Sequence, residues 1–173
     1  MNKAIFLDRD GTIIKDKIYL SKPEEIEFIN GVDEALEKFL LNNYKLIIIT
    51  NQSGVGRGYF NIEDVEKVND RIRQELLSRS ITITDFYYCP HYIGSSLNEY
   101  DTKCDCRKPS PGLIIQAAKD YDIELCESFM IGDKESDILA GVNAKLKNSY
   151  RVDEEYNLLF FANLICCEGD QYE

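Results

Sequence analysis

The sequence predicts a three-layer α/β/α protein with a mainly parallel sheet. Short apolar runs alternate with amphipathic helical patterns along the chain, and acidic or glycine-rich segments follow several of these runs. Ligands of parallel α/β sheets bind beyond the carboxyl ends of the strands. The polar segments after the predicted strands are therefore the candidate site residues.

The first predicted strand, residues 4–7, is apolar and ends at two closely spaced acids, Asp8 and Asp10, followed by Gly11. Two carboxylates at this spacing repel each other unless a cation lies between them. Glycine permits a close approach of the backbone to a ligand. The pattern indicates a divalent metal or an attacked electrophile, with solvated acids at an ordinary strand end as the alternative.

The next segments continue the alternation. Residues 13–30 predict a loop near the first strand end, and a helix follows Gly31 and stops near residues 42–43. Residues 46–50 predict a strand buried on both faces, which runs into a polar, glycine-rich loop over residues 50–58. Asn61 can cap the following helix, with Asp64 in its first turn.

In the second half of the chain, predicted strands and helices alternate less regularly. Residues 81–88 predict a third strand, and residues 89–108 are too polar for a core. Ser110 and Pro111 predict the N-cap and first residue of a helix. Residues 129–131 predict a fourth strand before another helix. Beyond residue 144 we expect a strand at residues 150–152 and a tail that packs as a strand or a helix.

Length and charge restrict the class of protein. The chain has 173 residues, 44% of them hydrophobic, which suits a single domain over residues 1–173. Its formal net charge of -11 disfavours nonspecific nucleic-acid binding. An anionic substrate would therefore require the few cations to be concentrated at the site.

No targeting or membrane segment is evident in the sequence. Only four apolar residues precede Asp8, which does not fit a signal peptide. The apolar tract over residues 158–167 is too short to span a bilayer. We expect a soluble cytoplasmic protein with no nucleic-acid or membrane partner, and a monomer because no exposed apolar stripe is evident.

Cysteine and histidine residues cluster in the polar segment after the third predicted strand. Cys89 and His91 form a C-x-H pair, and Cys104 and Cys106 form a C-x-C pair. Three thiolates and one imidazole make a closed tetrahedral set, which predicts a structural Zn²⁺ in a loop over residues 89–108. Reduced cysteines that cluster without a metal are the alternative.

Four ordered motifs resemble those of the haloacid dehalogenase superfamily of phosphotransferases. In chain order they are Asp8-x-Asp10-Gly11-Thr12, then Thr50, then Lys108, then Gly132-Asp133 with Asp137. The resemblance covers about residues 4–141 and implies a Rossmann-like fold. One such motif is weakly informative, whereas four in order are specific.

The resemblance implies a role for each matched residue. Asp8 is the expected nucleophile, which forms an aspartyl-phosphate, and Asp10 is the expected acid and base. Thr50 and Lys108 are expected to hold the phosphoryl oxygens. Mg²⁺ is expected at the Asp8 carboxylate, the Asp10 backbone carbonyl and the Asp133 carboxylate. Asp137 is expected to support the metal site without binding the ion.

Four longer strings narrow the resemblance. FLDRDGT, TNQSGVGRGYF, YYCPH and CDCRKP resemble the D,D-heptose 1,7-bisphosphate phosphatases and the related histidinol-phosphate phosphatases, which are compact and lack a large cap domain. The implied substrate-binding residues are Asp16, Lys17, Ile18, Tyr19, Thr50, Asn51, Gln52, Ser53, Arg107, Lys108 and Lys134. The fork-shaped guanidinium of Arg107 suits a second phosphate.

The implied activity is removal of the C7 phosphate of D-glycero-D-manno-heptose 1,7-bisphosphate, for nucleotide-activated heptose and lipopolysaccharide synthesis. The residues themselves support a Mg²⁺-dependent phosphomonoesterase with a structural Zn²⁺. Histidinol-phosphate hydrolysis and a noncatalytic phosphosugar-binding module are the alternatives. Residues 145–151 lack the glycines common in the family, which leaves the C-terminal architecture open.

Overall fold

A computed structural model describes residues 1–167 of the chain. Its five strands form one parallel sheet in the order β3-β2-β1-β4-β5. The strands are β1 (Lys3–Leu7), β2 (Tyr44–Asn51), β3 (Asp85–Cys89), β4 (Phe129–Gly132) and β5 (Asn148–Arg151). Because β1 lies at the centre, the loop after Leu7 is bordered by the ends of β2 and β4.

Helices cover both faces of the sheet, which confirms the predicted α/β/α fold. They are α1 (Val32–Leu41), α2 (Ser53–Gly56), α3 (Ile62–Ser78), α4 (Gly112–Asp120), α5 (Glu135–Asn143) and α6 (Leu158–Cys167), with 3-10 turns at Pro23–Glu25 and Leu125–Glu127. In β1, Ile5 and Leu7 pack with α1, α3 and α6, whereas Ala4 and Phe6 pack with α4 and α5. This alternation explains why β1 is apolar throughout.

Helix α3 begins as predicted. The Asn61 side chain accepts a hydrogen bond from the Asp64 backbone N–H at 2.9 Å, and the Asp64 carboxylate accepts one from the Asn61 N–H at 3.1 Å. This reciprocal capping box satisfies two helix donors. Val68, Ile72 and Leu76 of α3 are buried in one apolar cluster with residues of β1 and β2.

Several boundaries differ from the sequence expectation, and the strand expected at residues 150–152 spans Asn148–Arg151 instead. Ile81 and Ile83 are buried, but the ladder of β3 starts only at Asp85. Ser110 is not the N-cap of α4: Pro111 takes that position without a side-chain cap, and the helix starts at Gly112. The predicted loop over residues 50–58 contains the short helix α2 (Ser53–Gly56), which turns its backbone toward the end of β2.

The C-terminal segment, left open by the sequence, forms β5 and then α6. Helix α6 packs against α1. The ring of Phe161 stacks on Tyr150 at a centroid distance of 4.8 Å, and Tyr150 stacks on Phe129 of β4 at 6.0 Å. These three rings fasten the end of the described chain to the sheet edge.

Among residues 1–167, no helix has both the length and the apolar character needed to span a bilayer.

The Phe161 ring predicts a measurable contribution to stability. Phe161 is 7% exposed, whereas its neighbour Phe160 is 43% exposed and serves as a matched control. We expect Phe161→Ala to lower the free energy of unfolding by about 3 kcal/mol, because it leaves a cavity beside Tyr150. Phe160→Ala should cost about 1 kcal/mol or less. Urea denaturation measures both, and equal losses would contradict the packing role of Phe161.

Candidate active site

The site is built around Asp8, which lies directly after the central strand β1. Its backbone N–H donates to the carbonyl of Ile131 in β4 at 3.0 Å, so the sheet ladder fixes its position. The residue is 4% exposed. Lys108, from the loop before α4, places its Nζ 2.7 Å from Oδ1 of Asp8. One carboxylate oxygen is thereby held, and the other remains for a ligand.

Lys108 is buried and surrounded by acceptors. Its Nζ donates to the carbonyl of Ile49 at 2.6 Å and lies 2.6 Å from Oδ1 of Asp137. Burial favours the neutral amine, but the charges of Asp8 and Asp137 outweigh this effect and raise the pKa of Lys108. The lysine is therefore a fixed cation at the base of the site.

The backbone of Lys108 is anchored to strand β2 by Asn51. The Asn51 amide donates to the Lys108 carbonyl at 3.1 Å, and its oxygen accepts from the Lys108 N–H at 3.0 Å. Both contacts join residues 57 positions apart in the chain. The paired bonds explain how a lysine on an irregular loop reaches the end of β1 reproducibly.

Asp10 is oriented by two donors. Its Oδ2 accepts from Nε of Arg9 at 3.0 Å and from Nε2 of Gln52 at 3.0 Å. Arg9 is 1% exposed, and its Nη1 donates to Oδ1 of the buried Asn69 on α3 at 2.9 Å. Thr50 is the penultimate residue of β2, and its Oγ1 accepts from Nε2 of Gln52 at 2.8 Å. Gln52 therefore couples Asp10 to Thr50.

Sequence reasoning missed Arg9 and Asn69. Asn69 was assigned no role, because most polar residues of its helix, α3, are typical of a solvent-exposed face. A polar residue on the apolar side of the α3 pattern was the available signal, since buried amides need partners.

Asp133 follows β4 and faces Asp8. Burial, and next the charge of Asp8, raise the pKa of Asp133 to about 6. Gly11 has φ of 86°, and a Cβ at this position would collide with the Asp133 carboxylate. Only glycine both adopts this positive φ and leaves room for the Asp133 carboxylate, which explains why a glycine stands at position 11.

The acidic groups fit a divalent cation. Ligand oxygens of Asp8, Asp133 and Asp137 all lie within 4.8 Å of one another. Among the described residues, Oδ1 of Asp133 is buried and has no hydrogen-bond partner. Oδ2 of Asp137 instead accepts from the backbone N–H of Lys134 at 3.0 Å, and its Oδ1 contacts Lys108. The orphaned oxygen of Asp133 and the oxygen-rich donors suit Mg²⁺.

A cavity of about 350 Å³ opens above these groups. The predicted substrate residues that line it are Asp16, Ile18, Tyr19, Asn51, Gln52, Ser53, Arg107, Lys108 and Lys134. Thr50 lies instead beside Asp8 in a deeper cavity of about 40 Å³. Lys17 lines neither cavity, because its Nζ pairs with Glu27 at 2.6 Å. Leu20, Gly54 and Ser136 also line the larger cavity and were not predicted.

Cys89, His91, Cys104 and Cys106 come together beside the end of β3. One ligand atom from each lies within 4.8 Å of the others, and the sulfurs of Cys89 and Cys104 are 3.6 Å apart. Tetrahedral Zn²⁺ with bonds of about 2.3 Å places sulfurs roughly 3.8 Å apart, so this four-residue set could hold the ion. We call residues 89–108 the Cys/His loop.

One contact within the Cys/His loop orients Arg107, and another joins the loop to the residue after β2. Nη1 of Arg107 donates to the carbonyl of His91 at 3.4 Å. The backbone N–H of Gln52 donates to the carbonyl of Cys89 at 2.8 Å. The loop therefore positions Arg107 on the wall of the cavity.

Comparison with known proteins gives consistent matches. A sequence model of the HAD-hydrolase-like family matches residues 105–149. The chain is 47% identical over 149 residues to a D-glycero-beta-D-manno-heptose-1,7-bisphosphate 7-phosphatase from Helicobacter pylori, covering 86% of this chain and 82% of that protein. It is 42% identical over 153 residues to the alpha-heptose enzyme from Campylobacter jejuni, covering 88% and 84%.

A solved structure agrees with these relatives. The D,D-heptose 1.7-bisphosphate phosphatase from B. bronchiseptica, complexed with magnesium and phosphate, superposes with a TM-score of 0.81 at 26% identity. The match covers 96% of this chain and 99% of that one. The parallel sheet, the acidic strand ends and the extent of these matches lead to one assignment: this chain belongs to the D-glycero-D-manno-heptose-1,7-bisphosphate 7-phosphatase family of haloacid dehalogenase-like hydrolases.

Proposed function

We propose that this chain removes the C7 phosphate of D-glycero-D-manno-heptose 1,7-bisphosphate in nucleotide-activated heptose biosynthesis. One observation carries the proposal: Lys108 beside Asp8 and Arg107 on the wall provide two cationic positions within one pocket. Two phosphates on one sugar require such a pair. The relatives cited above bear names that specify this reaction. The proposal includes a single domain that acts as a cytoplasmic monomer.

The first chemical step uses Asp8. Its Oδ2 attacks phosphorus, the bond from phosphorus to the C7 oxygen breaks, and an aspartyl-phosphate forms. Asp10 donates its proton to the departing sugar oxygen, so the alcohol leaves neutral. Lys108 holds Oδ1 of Asp8 at 2.7 Å and offsets charge as the phosphoryl group approaches. Thr50, beside Asp8 in the deeper cavity, is placed to contact the phosphoryl oxygens.

The second step regenerates the carboxylate. Asp10, now ionised, takes a proton from water as the water oxygen attacks phosphorus, and the bond to Asp8 breaks to release inorganic phosphate. This exchange requires the Asp10 carboxylate to stay in one orientation. Arg9 and Gln52 provide that orientation through Oδ2. The Asn69 amide holds Arg9 in turn.

The residues at the strand ends fit Mg²⁺ in this proposal. Asp8, the Asp10 carbonyl and Asp133 would hold the ion, which when bound supplies positive charge to the phosphoryl oxygens. The orphaned Oδ1 of Asp133 supports this set. Asp137 is already engaged by the Lys134 backbone and by Lys108, which supports a role in positioning rather than in binding the metal.

Substrate turnover tests the proposal directly. Phosphate release is measured from both heptose anomers, fructose 1,6-bisphosphate and histidinol phosphate, with Mg²⁺ present and then chelated. We expect kcat/KM to be highest for one heptose anomer and activity to require Mg²⁺. Asp8→Asn should lower kcat at least about 10³-fold, because the amide is not a nucleophile. Full activity of that variant, or a preference for histidinol phosphate, would contradict the proposal.

Arg107 should act on the second phosphate. We expect Arg107→Ala to lower kcat/KM for the bisphosphate roughly 10- to 100-fold, the worth of a charge-assisted hydrogen bond, while hydrolysis of p-nitrophenyl phosphate changes little. Arg71→Ala, which removes an exposed arginine paired with Glu75 on α3, is the control. Equal losses on the two substrates would exclude the assigned role.

We further propose that Zn²⁺ in the Cys/His loop is structural. Three thiolates and one imidazole fill a tetrahedral site and leave no open position for substrate. Cys104→Ser should reduce bound zinc, measured by elemental analysis, from one per chain to near zero and lower the melting temperature. Cys126→Ser, at an exposed cysteine outside the cluster, is the control. Wild-type protein that carries no zinc would refute the assignment.

A further inference from the structure

Arg57 lies between two tyrosines, Tyr92 and Tyr19, which belong to two separate segments near the pocket. Its guanidinium carbon is 3.7 Å from the ring centroid of Tyr92 and 5.9 Å from that of Tyr19. Tyr92 belongs to the Cys/His loop. Tyr19 belongs to residues 16–20, a segment that lines the pocket wall and that we call the flap. One arginine therefore contacts both structures that shape the pocket.

We propose that Arg57 is a positioning residue, which holds the flap against the Cys/His loop and so fixes the pocket wall that receives the sugar. The proposal rests on the proposed function for its substrate. None of the catalytic steps above uses Arg57, and the residue does not line the pocket itself. Its effect would pass through Tyr19.

The exposed part of the flap, at Ile18 and Tyr19, needs a contact from outside the flap to hold its conformation. Ile18 and Tyr19 have φ angles of 44° and 61°, a left-handed conformation that is unfavourable for side chains branched at Cβ. Ile18 is 79% exposed, so burial does not hold it in place. The polar contacts of the flap lie at the surface and are weak. Asp16 accepts from the Ile18 N–H at 3.0 Å and lies 3.4 Å from Lys134 Nζ, and Lys17 pairs with Glu27 at 2.6 Å.

Leu20 anchors one end of the flap in the hydrophobic core, and aromatic contacts hold the exposed part at Tyr19. The Tyr19 ring meets the Tyr59 ring edge-on at a centroid distance of 4.7 Å. Arg57 approaches the same Tyr19 ring. Both contacts come from the segment around the C-terminal end of α2, so the flap is held from that side.

The backbone next to Arg57 is held tightly against the Cys/His loop. The Gly56 backbone N–H donates to the carbonyl of Pro90 at 3.0 Å, and Oγ of Ser95 donates to the Gly56 carbonyl. A Cβ at Gly56 would lie 2.8 Å from the Pro90 oxygen and 2.9 Å from Cβ of Tyr92. The chain before Arg57 therefore fits against the Cys/His loop without clearance. Movement of that loop would be transmitted to Arg57.

The chemistry of Arg57 fits a stacking role. Its Nε is buried and has no hydrogen-bond partner among the described residues. A guanidinium tolerates this situation when its face lies against aromatic rings, because it is planar and weakly hydrated. A lysine ammonium would keep the charge but lose the flat contact. This difference allows stacking to be separated from simple attraction of an anionic substrate.

Two variants and two readouts test the proposal. In Arg57→Ala we expect KM for the heptose bisphosphate to rise roughly 3- to 10-fold with kcat changed less than about 2-fold, because only the stacking contact is lost. Amide hydrogen exchange over residues 16–20 should become faster. Arg57→Lys should resemble Arg57→Ala in both measurements. Arg73→Ala, which removes an arginine of α3 that lies 4.9 Å from the ring of Phe86 in β3, is the matched control and should change neither.

Different results would overturn the positioning role of Arg57 and the proposed function. Full recovery of KM in Arg57→Lys, with unchanged exchange in Arg57→Ala, would show that Arg57 attracts substrate by charge and would overturn the positioning role. A loss confined to kcat would also overturn it. If the wild-type protein did not hydrolyse heptose bisphosphate at all, the proposed function would fail, while exchange over residues 16–20 would still decide whether Arg57 holds the flap.

Discussion

The structure depends on a charge imbalance buried at the end of the central strand. One lysine, Lys108, faces the carboxylates of Asp8 and Asp137, and the Asp133 carboxylate lies in the same group. Burial of these charges is tolerable only if each has partners, since an unpaired buried charge costs several kcal/mol. Burial, and next the charge of Asp8, raise the pKa of Asp133 to about 6, so full ionisation of this group is unfavourable without a further cation. A divalent cation held by these carboxylates would balance the negative charge and lower the repulsion that a phosphoryl group meets there.

Parallel strand order explains how these groups meet although they are far apart in sequence. The residues that follow β1, β2 and β4 share one edge of the sheet because the three strands are adjacent and parallel. Lys108 is the exception, since it follows no strand directly. Its position depends on Asn51, whose amide makes two hydrogen bonds to the Lys108 backbone. A regular sheet thus supplies the anions, and a side-chain anchor brings the cation to them.

Sequence patterns predicted those parts of the site that depend on local order along the chain. The strand-ending acids Asp8 and Asp133 and the clustered cysteines could be read from spacing alone. The contact of Arg9 with Asn69 could not, because it joins residues 60 positions apart and depends on which side of α3 faces β1. The position of Arg57 likewise depends on α2, a single helical turn within a segment whose glycines indicated an open loop. Helix α6 was ambiguous because an apolar tract of ten residues fits a buried strand or a helix.

In the proposed mechanism, phosphoryl transfer and substrate recognition are assigned to neighbouring residues, Lys108 and Arg107. Lys108 is tied to strand β2 through Asn51 and pairs with Asp8, the proposed nucleophile. Its neighbour Arg107 is tied to the carbonyl of His91, within the Cys/His loop. A distortion of that loop would therefore displace Arg107 first, whereas the anchor of Lys108 lies on the sheet. Because the loops can vary while the strand ends stay fixed, this arrangement lets one reaction centre serve different phosphate esters.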